Sequence, residues 1–451
     1  MSYDVIVIGG GITGAGIVRD LALRGVKTLL VEKGRPACGT TNKSSHLIHG
    51  GLRYLLYDRL TTQTTCWDSG HIVRIAQPLL TRLPIVWPVY RGHAHGIETV
   101  ETLLEAYDVL SHMKGGLSHL RLSPSDTLRL FPGLKAEGLV GALSFDEWWV
   151  DPEALVKANL DAAVREGADA RLETEVTALV REGGRVTGAR LRSADGSEET
   201  VAARLVVNAA GPWADRVAGL AGMDVPLRLR QGSQLVYDRP MDFLSASGRP
   251  TGLILQAPDE RFIFILPHGD LILVGPTDEE TDRGPDNLRT TDEEKKYLLR
   301  TVRGYFSDFP ERFDRTLVGA RPILAQAGSE KLLSREFEIF DHSAKGAPGF
   351  LTAAGGKMSD FRLMAETASN RAAGLLGISA PCRTHRISLD GQPLERVPDD
   401  PRPPDALKKF LRAHPRLREI HAMAYLGAGF LRHWTRPHRR ATFDDFRKHY
   451  G

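Results

Sequence analysis

The chain has 451 residues, enough to bury a large core divided over two or three lobes. A net charge of only +3 gives no overall field for nucleic acid, and 42% apolar against 25% charged residues is ordinary globular composition. No apolar run reaches the roughly 18 residues that span a bilayer, and residues 1–12 lack a basic leader and a cleavage site, so a cytoplasmic protein is expected.

Residues 5–8, Val-Ile-Val-Ile, suit a buried parallel strand. Gly9, Gly11 and Gly14 follow in a G-x-G-x-x-G pattern. The first permits a tight turn, the second lets backbone approach a pyrophosphate, and the third lets a helix lie close to the strand. That helix, expected over 15–23 and ended by Gly25, aims its first N–H groups at phosphates. Residues 27–31 form the next strand, and Glu32 then stands where a carboxylate accepts from ribose hydroxyls. Residues 3–33 therefore read as a dinucleotide-binding β-α-β unit. The loop 39–45 adds Thr40, Thr41, Ser44 and Ser45 as donors for a pyrophosphate or flavin, and Gly50-Gly51 lets the chain pass close to a flat ligand.

Further along, 60–80 and 97–113 have helical apolar spacing, broken up by Pro84, Pro88 and Gly92. Asp151 is placed to cap a helix running to 164, with Pro152 in its first turn. Segments 170–180, 185–192 and 199–202 alternate like a three-stranded antiparallel meander, turning at Gly183-Gly184 and Asp195-Gly196. The runs 205–211 and 349–357 are buried strands ending in small residues, the second followed by a helix over 360–376. Strand-like pieces at 233–237, 252–256, 261–267 and 271–274 lie between them. The expected fold is α/β, α+β overall. A Rossmann-like domain is discontinuous over 1–80, 150–220 and 346–380. A mixed or antiparallel sheet domain covers 81–149 and 221–345. A basic helical tail covers 397–451, after a proline-rich linker.

Beyond these local readings the chain resembles the FAD-dependent glycerol-3-phosphate dehydrogenases, within the D-amino-acid-oxidase-like flavoproteins. The resemblance rests on GGGITGAG (9–16), SSHLIHGGLRYL (44–55), VDPEALVKAN (150–159), VVNAAGPWAD (206–215), VGPTD (274–278), GARPI (319–323), LSREFEI (333–339) and GFLTAAGGKMSDFRLMAE (349–366), in the family's order. It implies FAD as cofactor. The expected contacts are Gly9, Gly11, Ile12, Thr13, Gly14, Glu32, Lys33, Thr40, Thr41, Ser44, Ser45, Leu47, His49, Gly50, Gly51, Val176, Ala209, Gly211, Arg321, Gly356, Lys357 and Met358. It also implies a phosphorylated substrate, sn-glycerol 3-phosphate, oxidised to dihydroxyacetone phosphate.

Flavin-dependent oxidation of an alcohol needs a hydride path, a proton acceptor and positive charge for a phosphate. Arg53, Arg321 and Arg335 would sit near the substrate by resemblance, and guanidinium forks fit phosphate oxygens. Lys357, between a strand end and a helix start, would stabilise charge on the reduced flavin or bind substrate. Catalytic expectations fall on His49, Arg53 and Lys357; His49 is either the general base or a packing and flavin-contacting residue. Tyr54 either orients substrate or fills core. Two departures from the family put the substrate in question. Gln234 stands where relatives often carry a histidine, and Met358 to Phe361 replace the family's L-T-T-Y. Asp360 there is read as a cap for the following helix. A 2-hydroxy acid or secondary amine substrate, or a catalytically silent flavin module, therefore stays open. Electrons would leave to a membrane quinone, a separate electron-transfer partner or oxygen, and the basic tail would hold the protein on an anionic membrane surface or face solvent or a partner. The three cysteines match no metal motif, and Cys38, in a loop near the expected cofactor, is either a reactive thiol or, as the favoured reading, a small buried side chain.

Overall fold

A computed structural model describes residues 2–56, 58–241, 244–325, 337–396, 405–435 and 440–451. Its helices in chain order are α1 (Ile12–Leu23), α2 (Arg59–Ile75), α3 (Ile97–Ser111), α4 (Pro124–Leu130), α5 (Pro152–Arg165), α6 (Ala214–Gly219), α7 (Asp292–Tyr305), α8 (Phe361–Leu376), α9 (Asp405–Ala413), α10 (Pro415–Thr435) and α11 (Phe443–His449). Two sheets organise them.

The first sheet carries the parallel strands Phe350–Gly355, Glu198–Asn208, Ser2–Ile8, Thr28–Val31 and Asp169–Arg171, in that order. Alternation along the first strand explains its layers. Val5 and Val7 face a core shared with α1, α5 and α8, whereas Ile6 and Ile8 face the opposite side with Leu191, Ala218 and Phe350. Helix α1 begins at Ile12, earlier than the spacing predicts, and Gly25 follows it at φ +77°. Asp151 caps α5 by accepting from the Glu153 and Ala154 amides.

The meander differs from the expectation in two ways. The three-stranded antiparallel meander is present as Thr174–Glu182, Arg185–Ser193 and the start of Glu198–Asn208, but Asp169–Arg171 is a separate strand that pairs in parallel with Thr28–Val31. The segments expected as separate strands at 199–202 and 205–211 are one strand, Glu198–Asn208. Its first half pairs with Arg185–Ser193 and its second half with Phe350–Gly355, while Ser2–Ile8 runs along it from Ala202 to Asn208. Composition alone hides this, because the same run of β-formers serves two partners.

The second sheet is mixed and larger. Its path runs Glu279–Glu280, Leu227–Asp238, Leu271–Gly275, Phe262–His268, Gly252–Gln256, Leu80–Tyr90, Leu139–Val150, Leu120–Leu122 and Arg440–Ala441, with Arg315–Leu324 on Leu227–Asp238 and Leu47–Ile48 on Leu139–Val150. Pro84 and Pro88, expected to break structure, sit inside the long strand Leu80–Tyr90. The C-terminal segment is no separate tail. Arg440–Ala441 completes the second sheet, and Phe443, Phe446 and Tyr450 are buried in its core with Tyr237 and Phe306. Among the described residues no helix is long and apolar enough to cross a membrane.

Candidate active site

Between the sheets lies a cavity of about 940 Å³. Its first end is built by the opening β-α-β unit. Gly9 N–H donates to Val31 O at 2.8 Å, closing the turn. At Gly14 an added Cβ would fall 1.9 Å from Gly9 O, so only glycine lets α1 approach the strand end. Helix α1 starts without a side-chain cap, and Gly11, Ile12 and Thr13 at its N-terminus line the cavity. Glu32 anchors this end: its Oε2 accepts from Gly10 N at 2.6 Å and its Oε1 from Gly34 N at 2.7 Å. Lys33 lies 5.0 Å from the Trp213 ring, whose Nε1 donates to Asp286.

The middle of the wall comes from the small polar loop and from strand ends. Thr40, Thr41, Ser44, Ser45, Leu47, Val176, Ala209, Gly211, Gly356 and Met358 all line it. Thr41 Oγ1 accepts from Ile12 N at 3.1 Å, tying the loop to α1. Cys38 also lines the cavity and is exposed, contrary to the buried reading; partial burial and the Glu32 charge push its thiol up. Gly14 and Gly50 stand behind the wall rather than on it.

The far end gathers the cations. His49, Arg53, Tyr54, Gln234, Arg321 and Lys357 all line the cavity. The Arg53 guanidinium and Lys357 Nζ lie 5.8 and 5.4 Å from the Tyr54 ring centre. Arg321 is 3.1 Å from Asp278 Oδ1 and donates to Thr277 O at 3.0 Å. Asp360 does not cap α8 through its side chain. Its Oδ1 accepts from Lys357 N at 3.0 Å and its Oδ2 pairs with Lys357 Nζ at 2.6 Å, because the turn folds the two residues together. Gln234 is buried; its Nε2 donates to Ser44 O at 3.0 Å while its Oε1 has no partner among the described residues. Arg335 lies outside the described residues.

Sequence reading missed three features. Asp278 and Asp360 hold two of the expected cations; the first partner is distant in sequence, and the second competes with a helix cap. Trp87, Phe262, Phe264, Phe430 and Trp434 give the cavity an apolar annex, with Phe430 and Trp434 supplied by α10. Glu147 lines the cavity and accepts from the Gly50 amide, and it sits in a strand whose neighbours read only as core.

The residues present fit a long dinucleotide. An acid stands at one end, and the α1 N-terminus, its Ile12 amide held by Thr41, and the hydroxyl loop line the cavity beyond it. At the far end a buried carbonyl oxygen, unpartnered among the described residues, and cations meet an apolar wall. Likeness to known proteins points the same way. A family model described as "FAD dependent oxidoreductase" (DAO) matches residues 4–369. The chain is 32% identical over 399 residues to a subunit of the anaerobic glycerol-3-phosphate dehydrogenase of Escherichia coli, covering 86% of this chain and 70% of that protein. It is 32% identical over 406 residues to the aerobic glycerol-3-phosphate dehydrogenase of Staphylococcus aureus, covering 86% and 71%. Among solved structures, the glycerol-3-phosphate dehydrogenase of Bacillus halodurans complexed with FAD superposes with a TM-score of 0.69 at 24% identity, covering 97% of this chain and 81% of that one. The chain belongs to the FAD dependent oxidoreductase family, in the group that holds the glycerol-3-phosphate dehydrogenases.

Proposed function

We propose that the protein oxidises sn-glycerol 3-phosphate to dihydroxyacetone phosphate as an FAD-dependent dehydrogenase. One observation carries the reading: a single cavity joins a dinucleotide cradle to a wall bearing His49, Arg53, Arg321 and Lys357. On this reading Glu32 accepts from ribose hydroxyls, and the α1 N-terminus with Thr40, Thr41, Ser44 and Ser45 takes the pyrophosphate. Gln234 Oε1 and Lys357 meet the ring end. Bound there, FAD supplies the hydride acceptor. Arg53 and Arg321 hold the substrate phosphate, and Asp278 keeps the Arg321 guanidinium in place before the phosphate arrives. His49 accepts the hydroxyl proton on its imidazole. The apolar annex offers a nonpolar wall on that side.

Anaerobic titration of the FAD-loaded protein with glycerol 3-phosphate tests this. Loss of the yellow absorbance with matching dihydroxyacetone phosphate supports it. Unchanged absorbance with FAD still bound marks a silent flavin module. Bleaching by 2-hydroxy acids or secondary amines alone moves the substrate class.

The acceptor on this reading is a quinone reached from an anionic membrane surface, with the protein peripheral on its inner face. Helix α10 supports it. Ala422, Gly429 and His433 are buried on the side facing α3, while Ile420, Met423, Leu431 and Trp434 are exposed on the other. Trp434 and Phe430 also line the cavity. Residues 405–440 hold nine Lys or Arg and two Asp or Glu, in a chain whose net charge is +3. Sedimentation with phosphatidylglycerol-containing vesicles should carry the protein down, and Ile420→Glu/Leu431→Glu should leave it in solution. A parent protein that ignores anionic vesicles refutes this surface.

A further inference from the structure

The segment His49–Gly51 leaves the second sheet immediately after Leu47–Ile48, which pairs with Trp149 and Trp148. Side chains then hold its peptide groups. His49 N–H donates to Ser359 Oγ at 2.9 Å, and His49 C=O accepts from Ser69 Oγ at 3.0 Å. Gly51 C=O accepts from Thr62 Oγ1 at 3.2 Å. Gly50 N–H donates to Glu147 Oε2 at 3.1 Å, the one carboxyl of this set.

Glu147 is 3% exposed and sits in its own buried network. Its Oε1 accepts from Tyr107 OH at 2.7 Å, and its Oε2 lies 2.9 Å from Lys114 Nζ. Lys114 is 1% exposed and also donates to Asp146 O at 2.6 Å. Burial opposes the Lys114 charge, but the charges of Glu147 and Asp146 outweigh it and hold the ammonium protonated. The network presses on the loop: a Cβ at Gly50 would fall 2.2 Å from Tyr107 OH and 2.5 Å from Cys66 Sγ. A buried ion pair is a poor source of stability compared with apolar packing. Burial pushes the Glu147 carboxyl up against the opposing Lys114 charge and Tyr107 hydrogen bond. What Glu147 offers in either form is an acceptor for the buried Gly50 N–H, a group that is costly to leave unpaired. Glu147 also reaches the cavity surface beside His49 and Gly51.

We propose that Glu147, compensated by Lys114 and held by Tyr107, is a positioning residue that fixes the Gly50 amide and through it the placement of His49 in the cavity. The catalytic consequence rests on the reading of His49 as proton acceptor; the loop-fixing does not.

The test uses the FAD-loaded full chain and two variants. In Glu147→Gln/Lys114→Met a neutral acceptor remains for Gly50. In Glu147→Leu/Lys114→Met/Tyr107→Phe the network becomes apolar and the Gly50 amide loses its partner. Two readouts are taken: anaerobic flavin reduction by glycerol 3-phosphate, and amide hydrogen exchange of the peptide 46–54 without substrate. The triple variant should reduce flavin about 10- to 100-fold more slowly at a substrate Kd within about twofold of parent, and its 46–54 amides should exchange faster. The double variant should stay within about threefold of parent in both. Parent-like behaviour of the triple variant, or equal losses in both, overturns the proposal. If the triple variant loads no FAD, Glu147→Asp decides. It keeps a charge for Lys114 but draws the carboxylate back from Gly50, so parent-like exchange at 46–54 overturns the proposal and faster exchange supports it. If glycerol 3-phosphate does not reduce even the parent, the functional reading has failed, and the exchange experiment alone decides the role of Glu147.

Discussion

His119 should act as a stability lock that opens at alkaline pH. The residue is fully buried, with its Nδ1 2.9 Å from Asp108 Oδ2 and its Nε2 3.8 and 3.9 Å from Glu101 and Glu105. Burial pulls the imidazole down, but the hydrogen bond it donates to Asp108 and the negative charges of Asp108, Glu101 and Glu105 around it outweigh that and push it up to about 9. The folded value lies above the ordinary 6.5, so the protonated ring stabilises the native state. That contribution is complete below pH 6.5 and is lost as pH rises through about 9. The difference is worth about 3 kcal/mol. His119→Gln removes the titrating group and takes its positive charge away from the carboxylates, of which Glu101 keeps Arg121 at 2.6 Å. Urea unfolding followed by tryptophan fluorescence at pH 6, 7.5 and 9.5 measures the gap between parent and variant. The gap should shrink by about 3 kcal/mol across that range. A constant gap would refute the ionised, carboxylate-held histidine. The lock matters to the site because Glu98, on the same helix α3, holds His433 of α10 at 2.9 Å, and α10 walls the cavity.

Gly14→Ala must push Gly9 aside, and it should lower stability by about 1–3 kcal/mol and yield protein with little bound flavin; a stoichiometric absorbance ratio and unchanged Tm would contradict the packing argument. Arg321→Ala should raise KM for glycerol 3-phosphate about 10- to 100-fold while FAD stays bound, the loss expected for a charge-assisted contact, and identical saturation curves would remove Arg321 from the substrate site. His49→Gln should slow anaerobic flavin reduction by about 10²- to 10⁴-fold, and a change below about threefold would make it a bystander.

Features set by a few adjacent residues were legible in the sequence. The glycine spacing, the strand that follows α1 and the terminal Glu32 belong to one short unit whose geometry is dictated locally, and the structure shows Glu32 gripping the turn itself. Asp151 as a cap succeeded for the same reason. Asp360 failed because two local options compete at that position. The carboxylate could serve the helix amides or reach back to Lys357, and the ammonium is the stronger partner. The strand Glu198–Asn208 and the C-terminal segment failed because their partners lie far away in sequence. A charge count of the tail registers its basic residues but not that Phe443, Phe446 and Tyr450 are spaced to enter a core built elsewhere. Glu147 escaped for a related reason: an acid within an aromatic strand means nothing until Lys114 and Gly50 are brought to it.

The parallel register of the first sheet has a consequence for how the protein is made. Ser2–Ile8 finds its neighbour 200 residues later, and that neighbour finds Phe350–Gly355 well after that. A chain emerging from the ribosome therefore completes the outline of its glycine turn early. It cannot finish the surrounding pocket until most of synthesis is over, and closing such long loops makes folding slow. Flavin capture is then a late event. Nascent chains should depend on chaperones during the interval, and release from them should quicken when flavin is abundant.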